Sequence, residues 1–405
     1  MSSKESVFTR LYVGNGAFDI VGKRKRWYMI FGGLVLICLL SITFRWFNLG
    51  IDFEGGTKIS MPAASATGPI STERVETVFK EAAGKDPSAV QQVGAGDNAT
   101  IQIKSETLSV AEVTKIKGAL FEQLKPQGPG GESSVAQISD SAVSGSWGGE
   151  ISRQALIALA VFLVLVTIFL ALYFEKWMAI AAMLSLLHDI VVTAGVYSII
   201  GFEVTPATVI GLLTILGFSL YDTVVVFDKV KENTRGLLGL TRRSYAEAAN
   251  LALNQTLLRS INTALIALLP VIGLLVVGVG VLGVGTLQDL ALVQATGMLA
   301  AVLSSIFLAT PLLVDLKMRD PKYKQQAERV AQRKANQARK AELGESLDTA
   351  ERAEADLDLS DDEAVNAELR REKAMAIASS VPSRTPKASD AKRKPGGRPS
   401  GKRKR

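Results

Sequence analysis

Apolar residues occur in six long blocks along the chain, separated by shorter polar stretches. The blocks cover residues 28–47, 154–174, 177–200, 205–228, 255–280 and 287–314. Each has about 20 residues, which as a helix rising 1.5 Å per residue spans the ~30 Å hydrocarbon core of a bilayer. Because backbone polar groups in lipid must be satisfied within the segment, we predict six transmembrane helices. The predicted fold class is a polytopic α-helical membrane protein embedded in the lipid bilayer.

Basic residues gather on one side of the predicted membrane. The stretch 23–26 is Lys-Arg-Lys-Arg, and more lysines and arginines follow the fourth and sixth blocks. Cytoplasmic loops are enriched in basic residues, so the N-terminal segment 1–27, the loop 229–254 and the C-terminal segment 315–405 are predicted to be cytoplasmic. The first block follows its basic cluster as in a signal peptide. It is too long and has no small-residue cleavage site after it, so we interpret it as an uncleaved span.

The segment 48–153 between the first two spans has the length and patterning of a small extracytoplasmic domain. Alternating and periodic apolar positions predict, in chain order, a strand at 57–61, a helix at 72–83, strands at 90–93 and 100–104, a helix at 110–124 and a strand at 134–138. This β-α-β-β-α-β order is typical of an α+β ferredoxin-like fold.

The C-terminal tail differs in composition from the rest of the chain. Residues 321–405 carry 21 Lys and Arg and 14 Asp and Glu, whereas the rest of the chain has 25 of each kind. The stretch 327–342 has the pattern of a polar helix. The remainder is rich in Lys, Arg, Pro, Ser and Gly and cannot bury a core, so we predict a largely disordered tail. It is either a solvated tail or a basic contact for anionic lipids or ribosomal RNA.

The composition excludes several classes of function. Of the 405 residues, 48% are hydrophobic, and the single cysteine and single histidine are too few for an intrachain disulfide or a His/Cys metal cluster. The sequence has no P-loop, no dinucleotide-binding glycine motif after a strand and no nucleophile elbow. We therefore predict a protein that is not an enzyme and has no metal or cofactor, driven by a partner or an ion gradient.

Ionisable residues inside the predicted spans are the main candidates for function. Asp222 lies about 9 Å inside the membrane edge at Asp228, and Arg259 lies at a similar depth, about 12 Å along the fifth span. Each intramembrane charge costs about 2.5–3.5 kcal/mol even on a lenient insertion scale, which makes it a functional hypothesis by default. Two interpretations stay open: a static ion pair that holds two helices together, or a carboxylate that binds and releases a proton beside an arginine that tunes it.

Other polar residues near the same depth are possible members of a proton relay or helix-packing groups. They are His188 and Asp189 on the third span and Asn262 and Thr263 on the fifth. Ser304 and Ser305 are further polar groups on the sixth span. A lone histidine is more often a packing residue than a relay member, so both roles are kept for this group.

Several motifs together resemble the SecD/SecF family of membrane subunits of the bacterial Sec protein-export machinery. The stretch LGIDFEGGT at 49–57 resembles the signature that opens the family's outer domain. GFSLYDTVVVFDKVKENTR at 217–235, LLHDIVVTAG at 186–195 and NQTLLRSINT at 254–263 are similar to the family's fourth, third and fifth spans. The resemblance covers about residues 18–318 and leaves out the tail.

The resemblance implies a member of the resistance-nodulation-division superfamily in the bacterial plasma membrane. It implies a heterodimer with a six-span partner, SecD, beside the SecYEG channel, and proton-driven help for unfolded preproteins at a late, extracytoplasmic stage of export. Asp222 matches the family's proton-pathway aspartate and Arg259 its fifth-span arginine, while Tyr221 stands where the family commonly has asparagine. The signature residues are Gly50, Asp52, Gly55 and Gly56.

An alternative function is a half-transporter of the same superfamily that exports lipids or small molecules. Such exporters usually carry two large outer domains and twelve spans in one chain. This chain has one domain of about 100 residues, so the sequence favours the export subunit.

Overall fold

Six long apolar helices form the core of the computed structural model, which describes residues 18–94, 96–128, 130–281 and 285–342. The first four spans are Arg24–Arg45, Gly145–Tyr173, Lys176–Ile200 and Pro206–Asn233. The fifth is Tyr245–Gly273, continued by π-helical turns at Leu274–Val281. The sixth comprises Gly285–Ser304, a π-helical segment Ser305–Ala309, and Thr310–Lys317. Within the described residues, these six helices are long and apolar enough to cross a membrane, which confirms the predicted class.

The helices extend beyond the apolar runs because polar caps, not hydrophobicity, set their ends. The fifth helix begins at Tyr245 because Ser244 caps it. The Ser244 hydroxyl accepts a hydrogen bond from the backbone N–H of Glu247, and the Glu247 carboxylate accepts one from the backbone N–H of Ser244. The fourth helix has the same reciprocal cap between Thr205 and Thr208, with Pro206 in its first turn. Apolar runs therefore indicate the embedded part of each helix, and the caps place its start.

The segment between the first two spans folds into a four-stranded antiparallel sheet with two helices. The strands are β1 (Gly56–Pro62), β2 (Ala89–Val93), β3 (Thr100–Ser105) and β4 (Ser139–Val143), and the helices are α1 (Thr72–Ala83) and α2 (Val110–Leu124). The spatial strand order is β2-β3-β1-β4, with all neighbours antiparallel. This sheet content fits the predicted ferredoxin-like domain. We call the membrane face beside it the domain side.

The core of this domain lies between one face of the sheet and the two helices. Alternate strand residues such as Ile59 and Ile101 pack against Phe79 of α1 and Leu120 of α2, each at most 1% exposed. Ser71 caps α1, and Ser109 with Glu112 forms a capping box on α2. The hydrogen bond from the Ser109 backbone N–H, and then that from its side chain, hold the pKa of the Glu112 carboxyl below its usual value. The opposite sheet face carries polar residues and lies toward the spans.

The predicted strand 134–138 is wrong. Ser134 accepts a hydrogen bond from the backbone N–H of Ala136, which starts a tight turn over Val135–Gln137. The strand follows at Ser139–Val143, where it pairs with β1 from Gly56↔Val143 to Ser60↔Ser139. Local side-chain bonding therefore displaces the pairing along the chain.

The family-signature glycines make a close junction between the first span, the domain and the second span. Gly55 has φ +81° and Gly56 φ +135°, and a Cβ on Gly56 would lie 2.6 Å from the Ser105 carbonyl oxygen. The short helix Ile51–Glu54 packs on the start of the second span, where a Cβ on Gly148 would lie 2.5 Å from the Phe53 carbonyl oxygen. Glycine is required there for backbone conformation and for close approach.

Gly148 and its neighbour provide a matched test of this junction. We expect Gly148→Ala to lower the free energy of unfolding by about 1–3 kcal/mol, because the new methyl group displaces the short helix. A Cβ on Gly149 meets nothing within 4 Å, so Gly149→Ala is expected to be neutral or to stabilise the helix by up to about 1 kcal/mol. Thermal unfolding of the purified full-length chain in detergent measures both. Equal effects of the two variants would contradict the close-packing argument.

A polar helix, Pro321–Glu342, follows the sixth span and packs against the segment 238–243 between the fourth and fifth spans. It includes the predicted polar helix 327–342. Gln326 is fully buried and donates from Nε2 to the carbonyl oxygens of Leu240 (2.9 Å) and Arg243 (2.8 Å), and Val330 is also buried. The predicted disorder of the remaining tail falls outside the described residues.

Candidate functional site

Asp222 lies in the middle of the bundle, where three spans meet. It is 3% exposed. Its Oδ1 accepts a hydrogen bond from the Ser260 hydroxyl of the fifth span at 2.7 Å, and its Oδ2 accepts one from the Ser305 hydroxyl of the sixth. Both serines are buried. The carboxylate on the fourth span is therefore enclosed by two hydroxyl groups from different helices.

Small residues bring the fourth and sixth spans together, and a helix irregularity lies at their junction with Asp222. A Cβ on Gly297 of the sixth span would lie 2.5 Å from Ile215 of the fourth, and one on Gly211 would collide with Val293. Ser305 begins the π-helical segment of the sixth span. Such segments insert an extra residue into a turn and often occur at functional sites. Here the segment coincides with the serine that reaches Asp222.

Arg259 is not paired with Asp222. None of the ion pairs among the described residues joins them, and a guanidinium nitrogen of Arg259 donates instead to the Tyr221 hydroxyl at 3.3 Å. Consecutive residues of an α-helix point about 100° apart. Ser260 and Asp222 face inward, so Arg259 and Tyr221, each one residue earlier, point toward the outside of the bundle. The static ion pair, one of the two interpretations left open by the sequence, is not formed within the described residues, because equal depth does not ensure a common direction.

A second buried carboxylate belongs to Asp189 of the third span, which is 0% exposed. Its Oδ1 lies 3.0 Å from Nδ1 of His188, and its Oδ2 accepts a hydrogen bond from the Ser219 hydroxyl of the fourth span. The His188 ring packs edge-on against Phe31 of the first span. Because Ser219 and Asp222 are one turn apart on the fourth span, both carboxylates occupy the same part of the bundle.

Asn262 and Thr263 do not reach either carboxylate. Asn262 is exposed on the bundle surface, and the Thr263 hydroxyl donates to the Arg259 carbonyl oxygen of its own helix at 2.8 Å. The fifth-span residue that contacts Asp222 is therefore Ser260, which sequence reasoning missed, and not Asn262 or Thr263. A helical projection of the fifth span would have identified it, since Ser260 shares a face with the buried residues Thr256 and Leu257.

The signature residues have structural contacts near the domain side. The Gly50 N–H donates to the Val204 carbonyl oxygen at 2.8 Å, which ties the domain to the loop between the third and fourth spans. Asp52 lines a polar cavity of about 320 Å³ between the sheet and the spans, together with Lys58, Glu203 and Asp289. Within the described ranges, no three His, Cys, Asp or Glu side chains lie close enough together to hold a metal ion.

An ion pair that sequence reasoning missed connects the domain to the spans. Lys104 of β3 pairs with Glu203 in the loop between the third and fourth spans, and their side chains are 6% and 8% exposed. Gln91 of β2 also donates from Nε2 to Glu203 at 3.4 Å. The residues are about 100 positions apart in sequence, so local patterning holds no signal for this contact.

Two family models match the chain. The model described as "Protein export membrane protein SecD/SecF, C-terminal" matches residues 126–319. The model "SecD/SecF GG Motif" matches residues 40–66, which include the signature glycines described above. The first match covers the second to sixth spans, including Asp189 and Asp222.

Curated relatives share much of the sequence. The chain is 53% identical over 329 residues to a protein translocase subunit SecF of Mycobacterium tuberculosis, which covers 81% of this chain and 74% of that protein. It is 41% identical over 346 residues to a protein translocase subunit SecF of Streptomyces coelicolor, covering 85% of this chain and 89% of that protein.

A solved structure shares the fold. The crystal structure of SecDF from Thermus thermophilus, described as a translocon-associated membrane protein, superposes with a TM-score of 0.63 at 29% identity. The match covers 74% of this chain and 38% of that chain. This chain therefore spans well under half the length of the SecDF protein.

Proposed function

The chain belongs to the SecD/SecF family of protein export membrane proteins, and we propose that it works as a SecF-type accessory subunit of a Sec translocase. In this proposal it couples the proton-motive force to the late, extracytoplasmic movement of unfolded preproteins, together with SecD and the SecYEG channel. The relatives named above are translocase subunits. The family relationship does not favour the alternative half-transporter for lipids or small molecules.

The observation that carries the proton-coupling proposal is the pair of hydroxyls on Asp222. A serine hydroxyl can donate to an ionised carboxylate and can accept from a protonated one. An arginine can only donate, so an Asp222–Arg259 pair would favour the ionised form alone. With Ser260 and Ser305 as partners, both protonation states keep their hydrogen bonds. A group that binds and releases a proton in each cycle requires hydrogen-bond partners that suit both of its protonation states.

The energy available is sufficient for conformational work. One charge crossing the membrane potential provides about 2.3 kcal/mol per 100 mV. A proton that binds Asp222 also neutralises a carboxylate in an apolar interior, which changes how strongly the fourth, fifth and sixth spans attract each other. Asp222 is thus the proposed point where proton binding alters helix packing.

The exposed Tyr221–Arg259 pair supports the proposal of a SecD partner. Tyr221 is 50% exposed and Arg259 is exposed at mid-membrane depth. A lipid-facing arginine at this depth is unfavourable by about 2.5–3.5 kcal/mol. Polar groups of a neighbouring helix would remove that cost. We propose that a span of SecD covers this face and that Arg259 contributes to the proton pathway from there.

The proposed orientation places the ferredoxin-like domain outside the bacterial plasma membrane and both termini in the cytoplasm. Basic residues at 23–26, 229–235 and 317–324 all lie on the side opposite the domain. The lysine- and arginine-rich end of the tail is a candidate for contact with anionic lipids or the ribosome.

Purification and export assays together test this function. From native membranes, the tagged full-length chain is expected to co-purify with SecD and SecYEG. Cells depleted of the chain are expected to lose the stimulation of export by the proton-motive force while retaining ATP-driven export. Normal stimulation in depleted cells would overturn the proposal, as would recovery of the chain in a complex free of Sec components.

A further inference from the structure

His188 and Asp189 form a second buried polar unit that the role of Asp222 does not use. Asp189 is fully buried near the middle of the third span, and His188 is 7% exposed. The carboxylate has a hydrogen-bond partner on each oxygen, His188 and Ser219. Nδ1 of the imidazole is hydrogen-bonded to the carboxylate, and Nε2 lies on the other side of the ring. The unit therefore combines three groups that can donate or accept a proton: a carboxylate, an imidazole and a hydroxyl.

Three buried polar atoms around this unit have no side-chain or backbone partner in the described part of the chain. They are Nε2 of His188, Oγ of Ser185 and Oγ1 of Thr193. Ser185 and Thr193 lie four residues before and after Asp189, so Ser185, Asp189 and Thr193 share one face of the helix. Buried polar groups of this kind bind internal water.

Other hydroxyls in the spans behave differently. Thr214, Thr263 and Thr296 each donate to a carbonyl oxygen of their own helix, four residues earlier, at 2.8–2.9 Å. That bond is local and needs no further partner. Ser185 and Thr193 lack it, as does Thr310 of the sixth span, but only the third span carries two such hydroxyls beside a buried carboxylate within the described part of the chain.

The two carboxylates are linked by a single turn of the fourth span. The Ser219 hydroxyl donates to Asp189. Three residues later on the same helix, Asp222 accepts hydrogen bonds from Ser260 of the fifth span and Ser305 of the sixth. Among the described charged groups on helices packed against the third span, Asp222 is the one near mid-membrane. The others lie within nine residues of a helix end, for example Arg24, Arg153, Asp228, Asp289, Asp315 and Lys317.

We propose that the His188–Asp189 unit is a second proton-binding site, coupled to Asp222 across the turn of the fourth span that carries Ser219. This inference rests on the proposed proton-coupling function and adds a second carboxylate to it. Asp189 bonds to Ser219, which lies one helical turn from Asp222. Two neighbouring carboxylates in an apolar interior oppose simultaneous ionisation, so a proton released by one favours binding by the other. The transfer moves one proton and no electrons: one carboxyl becomes a carboxylate and the other becomes the neutral acid. His188 positions Asp189 through Nδ1 and takes up the proton at its unpartnered Nε2.

Infrared spectroscopy of the full-length chain, co-purified with its partner and placed in liposomes, tests for the second site. With isotope-labelled aspartate, we expect two protonated carboxyl signals that titrate with pH. Asp189→Asn should remove one signal and move the titration midpoint of the other. A spectrum unchanged by Asp189→Asn would overturn the proposal.

A milder variant keeps the functional test meaningful if Asp189→Asn impairs folding. Ser219→Ala removes the connecting hydroxyl, and we expect it to reduce the stimulation of export by an imposed proton gradient by roughly tenfold or more. Thr214→Ala on the same span is the matched control, because its hydroxyl bonds only to its own helix. Equal stimulation in both variants would contradict the connection.

The outcomes separate this inference from the proposed function. If Asp222→Asn abolishes the stimulation while Asp189→Asn and Ser219→Ala retain it, the second site is wrong and the proposed function stands. If Asp222→Asn retains full stimulation, the proposed function is wrong, and this inference is wrong with it.

Discussion

Replacing Asp222 by asparagine is expected to abolish the stimulation of protein export by the proton-motive force while leaving assembly intact. Asparagine has nearly the same shape as aspartate. Its carbonyl oxygen can accept from one serine and its amide can donate to the other, so Ser260 and Ser305 keep partners. The amide cannot bind a proton in the physiological range. The variant therefore removes proton exchange and preserves the hydrogen-bonded junction of the three spans.

The assay compares export into membrane vesicles with and without an imposed proton gradient across a range of pH. Asp228→Asn is the matched control: it makes the same chemical change on the same helix, but at an exposed position six residues nearer the membrane edge. We expect the control to keep full stimulation. Loss of stimulation in both variants would indicate a general charge effect on the fourth span and would contradict a specific role for Asp222.

Removing Lys104 is expected to destabilise the connection between the ferredoxin-like domain and the spans. In Lys104→Met, the buried carboxylate of Glu203 loses its ion-pair partner. Removing one partner of a buried ion pair lowers the free energy of unfolding by about 3–5 kcal/mol, because the remaining charge stays uncompensated in a low-dielectric environment. The double variant Lys104→Met/Glu203→Gln removes both charges and should recover most of this loss.

Thermal unfolding of the full-length chain, with hydrogen exchange at β3 and at residues 201–205, measures this effect. Lys80→Met is a suitable control, because Lys80 pairs with Asp86 at 2.6 Å on an exposed surface. Exposed pairs of this kind contribute little to stability, so no measurable change is expected. If Lys104→Met unfolds like the control, the pair does not hold the domain to the membrane part of the protein.

The features that local patterning determines could be predicted from the sequence. Apolar length indicated the six spans, and apolar periodicity indicated α1 and α2 with the bounds found in the structure. Three of the four sheet strands lie where alternation placed them. The fourth is displaced because Ser134 starts a turn where alternation predicted a strand.

The features that depend on which way a helix faces, or on contacts distant in sequence, could not be predicted by the same reasoning. Depth along the helices correctly placed Asp222 and Arg259 at one level, but the direction of each side chain is set by the packing of the fourth, fifth and sixth spans. The π-helical segment at Ser305–Ala309 changes that direction locally and has no sequence signal that we recognise. The Lys104–Glu203 pair exists because the domain folds back on a loop between two spans.

The most direct measurement of the central claim is proton movement through the assembled complex. Proteoliposomes containing the chain, its partner and the translocon would carry an internal pH-sensitive dye, and an arrested preprotein would be released to start movement. Proton uptake is expected to accompany preprotein movement in the wild-type chain and to be absent in Asp222→Asn. Proton uptake of equal size in the Asp222→Asn complex would contradict this claim.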